Sequence, residues 1–288
     1  MNESVLKITV LSENTAGVPL GLTGEWGLAL LVETGGVRIL FDTGERGHLL
    51  TNAAALGADL KSVDALVMSH GHYDHAGGMQ AFLRLRGRLP VYAHPDFFTS
   101  HYGALPKAHY IGVPFCREEL ESSGAKFIFT REPREIAPGI WVSGEVPRKT
   151  GFEKGDNRLF CLENGHKKVP DPLRDDMSIY CVTPQGLVII LGCAHAGLVN
   201  IIEHARQVTG VNRVYGIIGG THLGPAPVAQ LEATIVFLQG LDLQFLAPNH
   251  CTGLPVMARL AGIFGPRFHF APAGVSFTLP SDMNEGEQ

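Results

Sequence analysis

The chain has 288 residues, 45% of them hydrophobic, which is enough to bury a full core without disulfides. The formal net charge of −5 leaves no basic excess for counterion release from nucleic acid or for attraction to anionic lipid. A small-molecule substrate is the partner class that remains, with neither nucleic acid nor membrane expected.

Residues 5–11 alternate weakly and predict a strand. The runs 26–33 and 37–41 flank Thr34-Gly-Gly36 and read as a β-hairpin. A helix is expected over 48–55 and a short buried strand over 63–68. Met79, Phe82 and Leu83 fall at helical spacing, and Gly87 ends that helix. Residues 89–93 return as a strand. Residues 95–125 read as loop-rich, a lid or a substrate wall. Strands are then expected at 187–191, 214–218, 245–247 and 275–279, with helices at 198–208, 229–238 and 254–264. The pattern is a layered α/β protein, expected as a single domain over 1–288 with similar halves of about 1–145 and 146–288.

No secretory leader or membrane span is expected. The start has no basic region before an apolar run, and Gly186 to Ile202 is too short and is broken by Cys193, His195 and Asn200. The five cysteines include no C-x-x-C, so a zinc finger or disulfide framework is disfavoured and a reducing cytoplasm is expected.

One regularity directs attention to chemistry. Strand after strand runs into an ionisable residue: Asp42, His70, His94, His195, His222 and His250. Loops at the carboxyl ends of strands in open α/β sheets gather on one side and form the site. The densest cluster is Ser69-His70-Gly-His72-Tyr-Asp74-His75-Ala-Gly-Gly78. His70 and His72, two apart at a strand exit, point the same way and reach one metal. Asp74 and His75 follow the turn and serve a second ion. Gly71, Gly77 and Gly78 allow the tight path. Imidazole with carboxylate suits zinc, iron or manganese, whereas calcium calls for oxygen ligands.

H-x-H-x-D-H after a strand, with Phe41-Asp42-Thr43-Gly44 upstream, resembles the metallo-β-lactamase fold. That resemblance implies a four-layer αββα sandwich with a metal site at one edge of the sheets, holding one or two ions, Zn2+ first and Fe or Mn as alternatives. It also implies later ligand histidines, for which His195 in Leu191-Gly-Cys-Ala-His195 and His250 in Pro248-Asn-His250 are the candidates. Those segments, with Ser143-Gly-Glu-Val-Pro-Arg148 and Ile218-Gly-Gly-Thr-His222, resemble the branch named for 7,8-dihydropterin-6-methyl-4-(β-D-ribofuranosyl)aminobenzene-5′-phosphate synthase. There is a departure. The strand that usually ends in Gly-Asp, whose Asp bridges both metals, ends here in Gly192-Cys193, and the mid-chain His position reads Asp175-Asp176. Either His195 takes the mid-chain ligand role, or Asp176 or Cys193 completes the site.

Other residues carry paired readings. Asp42 is either a carboxylate that orients ligand imidazoles or an ordinary Asx-turn. His222 binds substrate, donates a proton, ligates, or simply packs. Arg148 and Glu145 flank Pro147, and the guanidinium fork of Arg148 suits an anionic substrate group, although a surface ion pair fits too. His94 reads as a satisfied loop histidine. His48, His101, His109, His166, His204 and His269 read as ordinary histidines, and Cys251 as a packing residue.

The expected activity is metal-dependent hydrolysis of an ester, lactone, amide or phosphodiester, with Asp74 and His222 as catalytic residues. The branch resemblance implies instead a pterin-forming transferase that displaces pyrophosphate. A non-catalytic metal-binding module is the third reading, and the intact first cluster argues against it.

Overall fold

Alternation of apolar residues along strands buried on both faces dictates the layering. A computed structural model describes residues 5–279. The strands of the first half are β1 (Leu6–Ser12), β2 (Ala29–Thr34), β3 (Val37–Phe41), β4 (Ala65–Val67), β5 (Leu89–Ala93), β6 (His101–Gly103), β7 (His109–Tyr110) and β8 (Ala125–Phe129). There follow β9 (Arg134–Ala137), β10 (Ile140–Val142), β11 (Leu159–Glu163), β12 (Lys167–Pro170), β13 (Ser178–Thr183) and β14 (Gly186–Leu191). The last three are β15 (Val214–Gly220), β16 (Phe245–Asn249) and β17 (Ser276–Leu279). A seven-stranded sheet runs β17-β1-β2-β3-β4-β5-β8, and a six-stranded sheet runs β16-β15-β14-β13-β10-β9.

In β2, Leu30 and Val32 face the other sheet, while Ala29 and Leu31 face helices. In β14, Val188 and Ile190 face the other sheet, while Leu187, Ile189 and Leu191 face helices. This period-2 split across two apolar faces makes both strands read as continuous hydrophobic runs. Helices α1 (His48–Ala55), α2 (Tyr73–Ala76), α3 (Met79–Arg86) and α4 (Arg117–Ser122) belong to the first half. Leu49, Phe82, Leu83 and Leu120, from α1, α3 and α4, pack on the outer face of the first sheet. On the second sheet, α5 (Leu198–Thr209), α6 (Val228–Gln239) and α7 (Leu254–Phe264) contribute Ile201, Leu238 and Leu260. The result is a four-layer αββα sandwich.

Within it, β3, β4, β5 and β8 pair in parallel, as do β14, β15 and β16. Their carboxyl ends carry the chemistry-bearing loops. Two differences from the expected layout have topological causes. The first sheet takes residues up to Phe129 and then recovers β17 from the far end of the chain, whose register with β1 pairs Leu6 with Leu279. Residues 95–125 are also more ordered than the loop-rich reading. They contain β6, β7 and α4, and β6 and β7 join β11 and β12 in a third sheet of order β12-β11-β6-β7. That sheet is tied to the site by a bridge between His72 and Gly112 and by the Tyr73 amide donating to the Ile111 carbonyl at 2.9 Å.

No helix among the described residues is long and apolar enough to cross a membrane. All five cysteines are free.

Candidate metal centre

The cluster from Ser69 to Gly78 is compressed against its neighbours. A Cβ on Gly71 would lie 2.0 Å from the Phe97 carbonyl oxygen, and one on Gly77 would lie 1.8 Å from that of Glu45. Gly77 has an ordinary helical φ of −65°, so these glycines serve close approach rather than unusual backbone angles. The compression brings His72, Asp74 and His75 onto one side of the short α2 turn.

Two donor groups form at the rim. His70, His72 and His195 offer ligand atoms within 4.8 Å of one another, as do Asp74, His75 and His250. All six residues are buried. In the second group the His75 and His250 Nε2 atoms lie 3.2 Å apart, and Asp74 Oδ2 is 3.3 Å from the latter and 3.8 Å from the former.

The far nitrogens of these rings reveal what the near ones present. His75 Nδ1–H donates to Asp42 Oδ2 at 2.7 Å, so in the neutral ring it is Nε2 that carries the lone pair. Asn14 donates its Nδ2 to the His250 carbonyl, which turns its Oδ1 to accept from His250 Nδ1–H at 3.0 Å. His250 Nε2 is therefore also a lone pair. Two ring nitrogens and a carboxylate oxygen thus converge, an arrangement that suits a cation between them, whether a proton on His75 or a metal ion in its place.

The first group repeats the logic. Ser69 Oγ donates to Asp42 Oδ2 at 2.6 Å and so accepts from His70 Nδ1–H at 2.8 Å. That leaves His70 Nε2 as a lone pair, 3.0 Å from His72 Nδ1. His72 Nε2 and both nitrogens of His195 are buried without a partner. Orphaned buried nitrogens of this kind are expected where a metal belongs. The donor set therefore fits one or two divalent ions.

Electrostatics agree. Burial, reinforced by neighbouring imidazoles, holds His70 and His195 well below the ordinary histidine range. Burial and the adjacent His101 lower His72 to about 3. These imidazoles are neutral and available as ligands. Burial opposes charge on His75, but Asp74 and Asp42 outweigh it and raise the ring to about 9, so this point favours positive charge. Asp74 is likewise desolvated, yet His75 and His250 hold it below the usual carboxylate range.

Asp42 unites the two readings given to it. It occupies a left-handed turn with φ 60°, and its carboxylate orients His75 directly and His70 through Ser69. His222 stands beside His195, ring centroids 4.2 Å apart, and donates Nε2–H to Asp156 at 3.0 Å while its Nδ1 is buried without a partner. Burial lowers its basicity, but Asp156 and Cys251 raise the ring to about 9.

Three residues expected as ligands or substrate contacts have protein partners in this structure. Asp176 lies outside both donor groups. Its Oδ2 accepts from the Ala196 amide at 2.9 Å, fixing the loop that carries His195, and burial lifts its carboxyl to about 6. Arg148 does not present its fork to an anion. It donates to the carbonyls of His195, Pro172 and Leu173 at 2.9, 2.6 and 3.0 Å, because a planar donor array matches converging carbonyls as well as it matches phosphate. Glu145 pairs with Arg131 at 3.2 Å rather than with Arg148, and it is not a member of either donor group.

Some residues make more of the site than their sequence context suggests. His101 is buried, donates Nδ1–H to Asp171 at 2.6 Å and packs edge-on against His72 with centroids 5.1 Å apart. Burial works against it, but Asp171 and Asp175 raise it to about 10. Cys251 accepts the His222 amide at 3.2 Å. His94 is not the satisfied loop histidine expected: its Nδ1 accepts from the Asp96 amide at 3.0 Å, but its Nε2 is buried without a hydrogen-bond partner. Asp156 and Asn14 gave no sequence signal, since each sits in a polar loop remote in the chain from its histidine.

A cavity of about 320 Å3 opens onto both groups. His72, Asp74, His195, His222 and His250 form its floor, and Trp26, Leu105, Ile111 and Leu159 line its wall.

Residues 24–158 match the model of the metallo-beta-lactamase superfamily. Over 259 residues the chain is 34% identical to the 7,8-dihydropterin-6-methyl-4-(beta-D-ribofuranosyl)-aminobenzene-5'-phosphate synthase of Methanocaldococcus jannaschii, covering 86% of this chain and 88% of that protein. The chain belongs to the metallo-β-lactamase superfamily. An uncharacterized protein of the same archaeon is 30% identical over 88% of this chain and 93% of its own length. Among solved structures, a metal-dependent hydrolase of the beta-lactamase superfamily superposes with a TM-score of 0.80 at 26% identity, covering 94% of this chain and 98% of that one. Against this metallo-β-lactamase frame the two donor groups sit at the sheet edge, as the sequence resemblance implied, and Cys193 stands at a strand end where an aspartate was expected.

Proposed function

We propose that this protein is a metal-dependent hydrolase acting on a small substrate with an ester-, lactone-, amide- or phosphodiester-type centre. The observation that carries the reading is the convergence of imidazole nitrogens and one carboxylate on the floor of an open cavity. His70, His72 and His195 form one metal position, and Asp74, His75 and His250 form the other. A divalent ion, zinc first among the candidates, supplies Lewis acidity there and lowers the pKa of a water from ~15.7 toward ~7.

The chain's own residues do the rest. Asp42 fixes the tautomers of His75 and, through Ser69, of His70. Asp74 carries negative charge at the floor and orients the attacking group. His222, steadied by Asp156, stands at the cavity edge to protonate the leaving group. The wall of Trp26, Leu105 and Ile111 offers apolar surface to the apolar part of the substrate.

Elemental analysis of purified protein, paired with a panel of phosphodiester, lactone and thioester substrates, tests this. Metal-loaded protein is expected to turn over at least one class, and His72→Ala and Asp74→Ala to abolish turnover while the fold is retained. Full turnover by the metal-stripped protein overturns the proposal.

The 34% identity to a synthase favours a second reading, a pterin-forming transfer that displaces pyrophosphate at the same centre. Incubation with a pterin diphosphate and an aminobenzene riboside phosphate decides it. A joined product with pyrophosphate release establishes transfer, and no product above an enzyme-free blank excludes it.

A further inference from the structure

Cys193 occupies the middle of the metal centre. It follows β14 through Gly192, where a Cβ would lie 2.2 Å from Ser69 Oγ, and it precedes Ala194, which has φ 56°. This pinned turn aims the side chain into the site. Cys193 Sγ lies 3.2 Å from His75 Nε2, within hydrogen-bonding distance. Three separate clusters of metal-competent donors include Cys193: one with His70 and His75, one with His195 and His222, and one with His250 and Cys251. Its sulfur is thus within 4.8 Å of ligand atoms from both halves of the centre. Among the described residues no other side chain in these clusters is shared so widely, and Asp74 is the sole carboxylate in them.

A buried cysteine that merely fills space has apolar neighbours. Cys181 is such a residue, packed in the core between the two sheets. Cys193 is as buried, but its sulfur is surrounded by imidazole nitrogens. A single S–H, a weak donor, meets only His75 Nε2 among these nitrogens, whereas a thiolate facing a cation shared with them is matched to the whole group.

We propose that Cys193 is a metal-ligating thiolate shared by the two halves of the centre, and that it makes the site selective for thiophilic ions such as Zn2+, Co2+ and Fe2+ over Mn2+ and Mg2+. This rests on the reading of the rim as a metal site. On binding, the S–H bond is exchanged for a sulfur–metal bond, and the proton leaves to solvent without any redox change. Soft sulfur donors discriminate in this direction, whereas carboxylate and water donors suit the harder ions.

The test is optical. Metal-stripped full-length protein is titrated with Co2+, and two signals are followed: the visible ligand-field bands, which report any bound cobalt, and the near-ultraviolet charge-transfer band, which reports a thiolate on it. Wild type, Cys251→Ser and Cys181→Ser are expected to show both signals. Cys193→Ser is expected to keep the visible bands and lose the charge-transfer band. Zinc-edge X-ray absorption of the wild type, which depends on no variant, is expected to show a sulfur scatterer at ~2.3 Å. Visible bands without charge transfer, no sulfur scatterer, or a charge-transfer band that follows Cys251 overturns the role of Cys193 and leaves the metal site standing. Equal occupancy by Mn2+ and Zn2+ at equal concentrations overturns the selectivity. A wild type that binds no cobalt or zinc at all removes the metal reading itself.

Discussion

Asp42→Asn separates orientation of the metal ligands from simple turn formation. The native carboxylate accepts the Ser69 amide at 2.7 Å, the Ser69 hydroxyl at 2.6 Å and His75 Nδ1–H at 2.7 Å. Asparagine keeps an oxygen for the Ser69 amide and tolerates the left-handed φ of 60° as aspartate does, so the backbone is not the variable. The second carboxylate oxygen becomes an NH2 group. The Ser69 hydroxyl rotates to accept from it, and the mismatch falls on His75. One buried donor without an acceptor costs about 1–3 kcal/mol, against a total stability of about 5–15 kcal/mol, so the variant still folds. His75 escapes the mismatch by moving its proton to Nε2, which converts the ligand lone pair into an N–H aimed at His250. Metal affinity is therefore expected to fall by about 10- to 100-fold, or about 1.4–2.7 kcal/mol. Competition with a chromophoric chelator measures the affinity, and urea denaturation of the metal-free protein measures the fold. Unchanged affinity in a variant that folds normally would refute the claim that Asp42 sets the tautomer.

Two further predictions follow, one from packing and one from protonation. Gly77→Ala is expected to destabilise by at least ~3 kcal/mol or to prevent soluble folding, because its Cβ meets backbone at 1.8 Å. Gly262→Ala in α7, with open space around its Cβ, is expected to stabilise by about 0.5–1 kcal/mol, and equal effects in denaturant melts would contradict the packing argument. His204, whose Nδ1 lies 3.1 Å from the Tyr180 hydroxyl, is lowered to about 4 by burial and by Lys149. Its folded pKa lies below the unfolded value, so the unfolded chain binds more protons between the two. The stability it supports is then full above about pH 6.5 and is lost as pH falls toward about 4. With partial solvent access the loss is about 1–3 kcal/mol. The difference in unfolding free energy between wild type and His204→Gln, compared at about pH 7.5 and about pH 4.5, reads it directly, and a pH-independent difference would exclude it.

What was legible in the chain was what is local. Six ionisable residues at strand exits mark one edge of the sheets because parallel strands deliver their following loops to a common side. The Ser69–Gly78 cluster is readable because its ligands are contiguous. His101 was not, since its partners Asp171 and Asp175 are some seventy residues distant in sequence, and an isolated histidine in a loop-rich stretch carries no sign of them. The third sheet escaped notice because its strands are only two to five residues long and partly exposed, too short for alternation to register. Arg148 misled because a guanidinium is equally suited to anions and to carbonyls. One signal visible only in three dimensions joins these cases. Of the six described non-glycine residues with left-handed φ, Asn164 and Leu173 lie outside the donor groups, whereas Asp42, Ala194, His222 and His250, with φ between 49° and 60°, lie at this rim. Three of the four bear side chains that reach the centre, and the fourth sits between Cys193 and His195. Strain persists where the surrounding structure requires a side chain that glycine lacks. Its concentration along one rim therefore marks the working edge of the molecule independently of any histidine count.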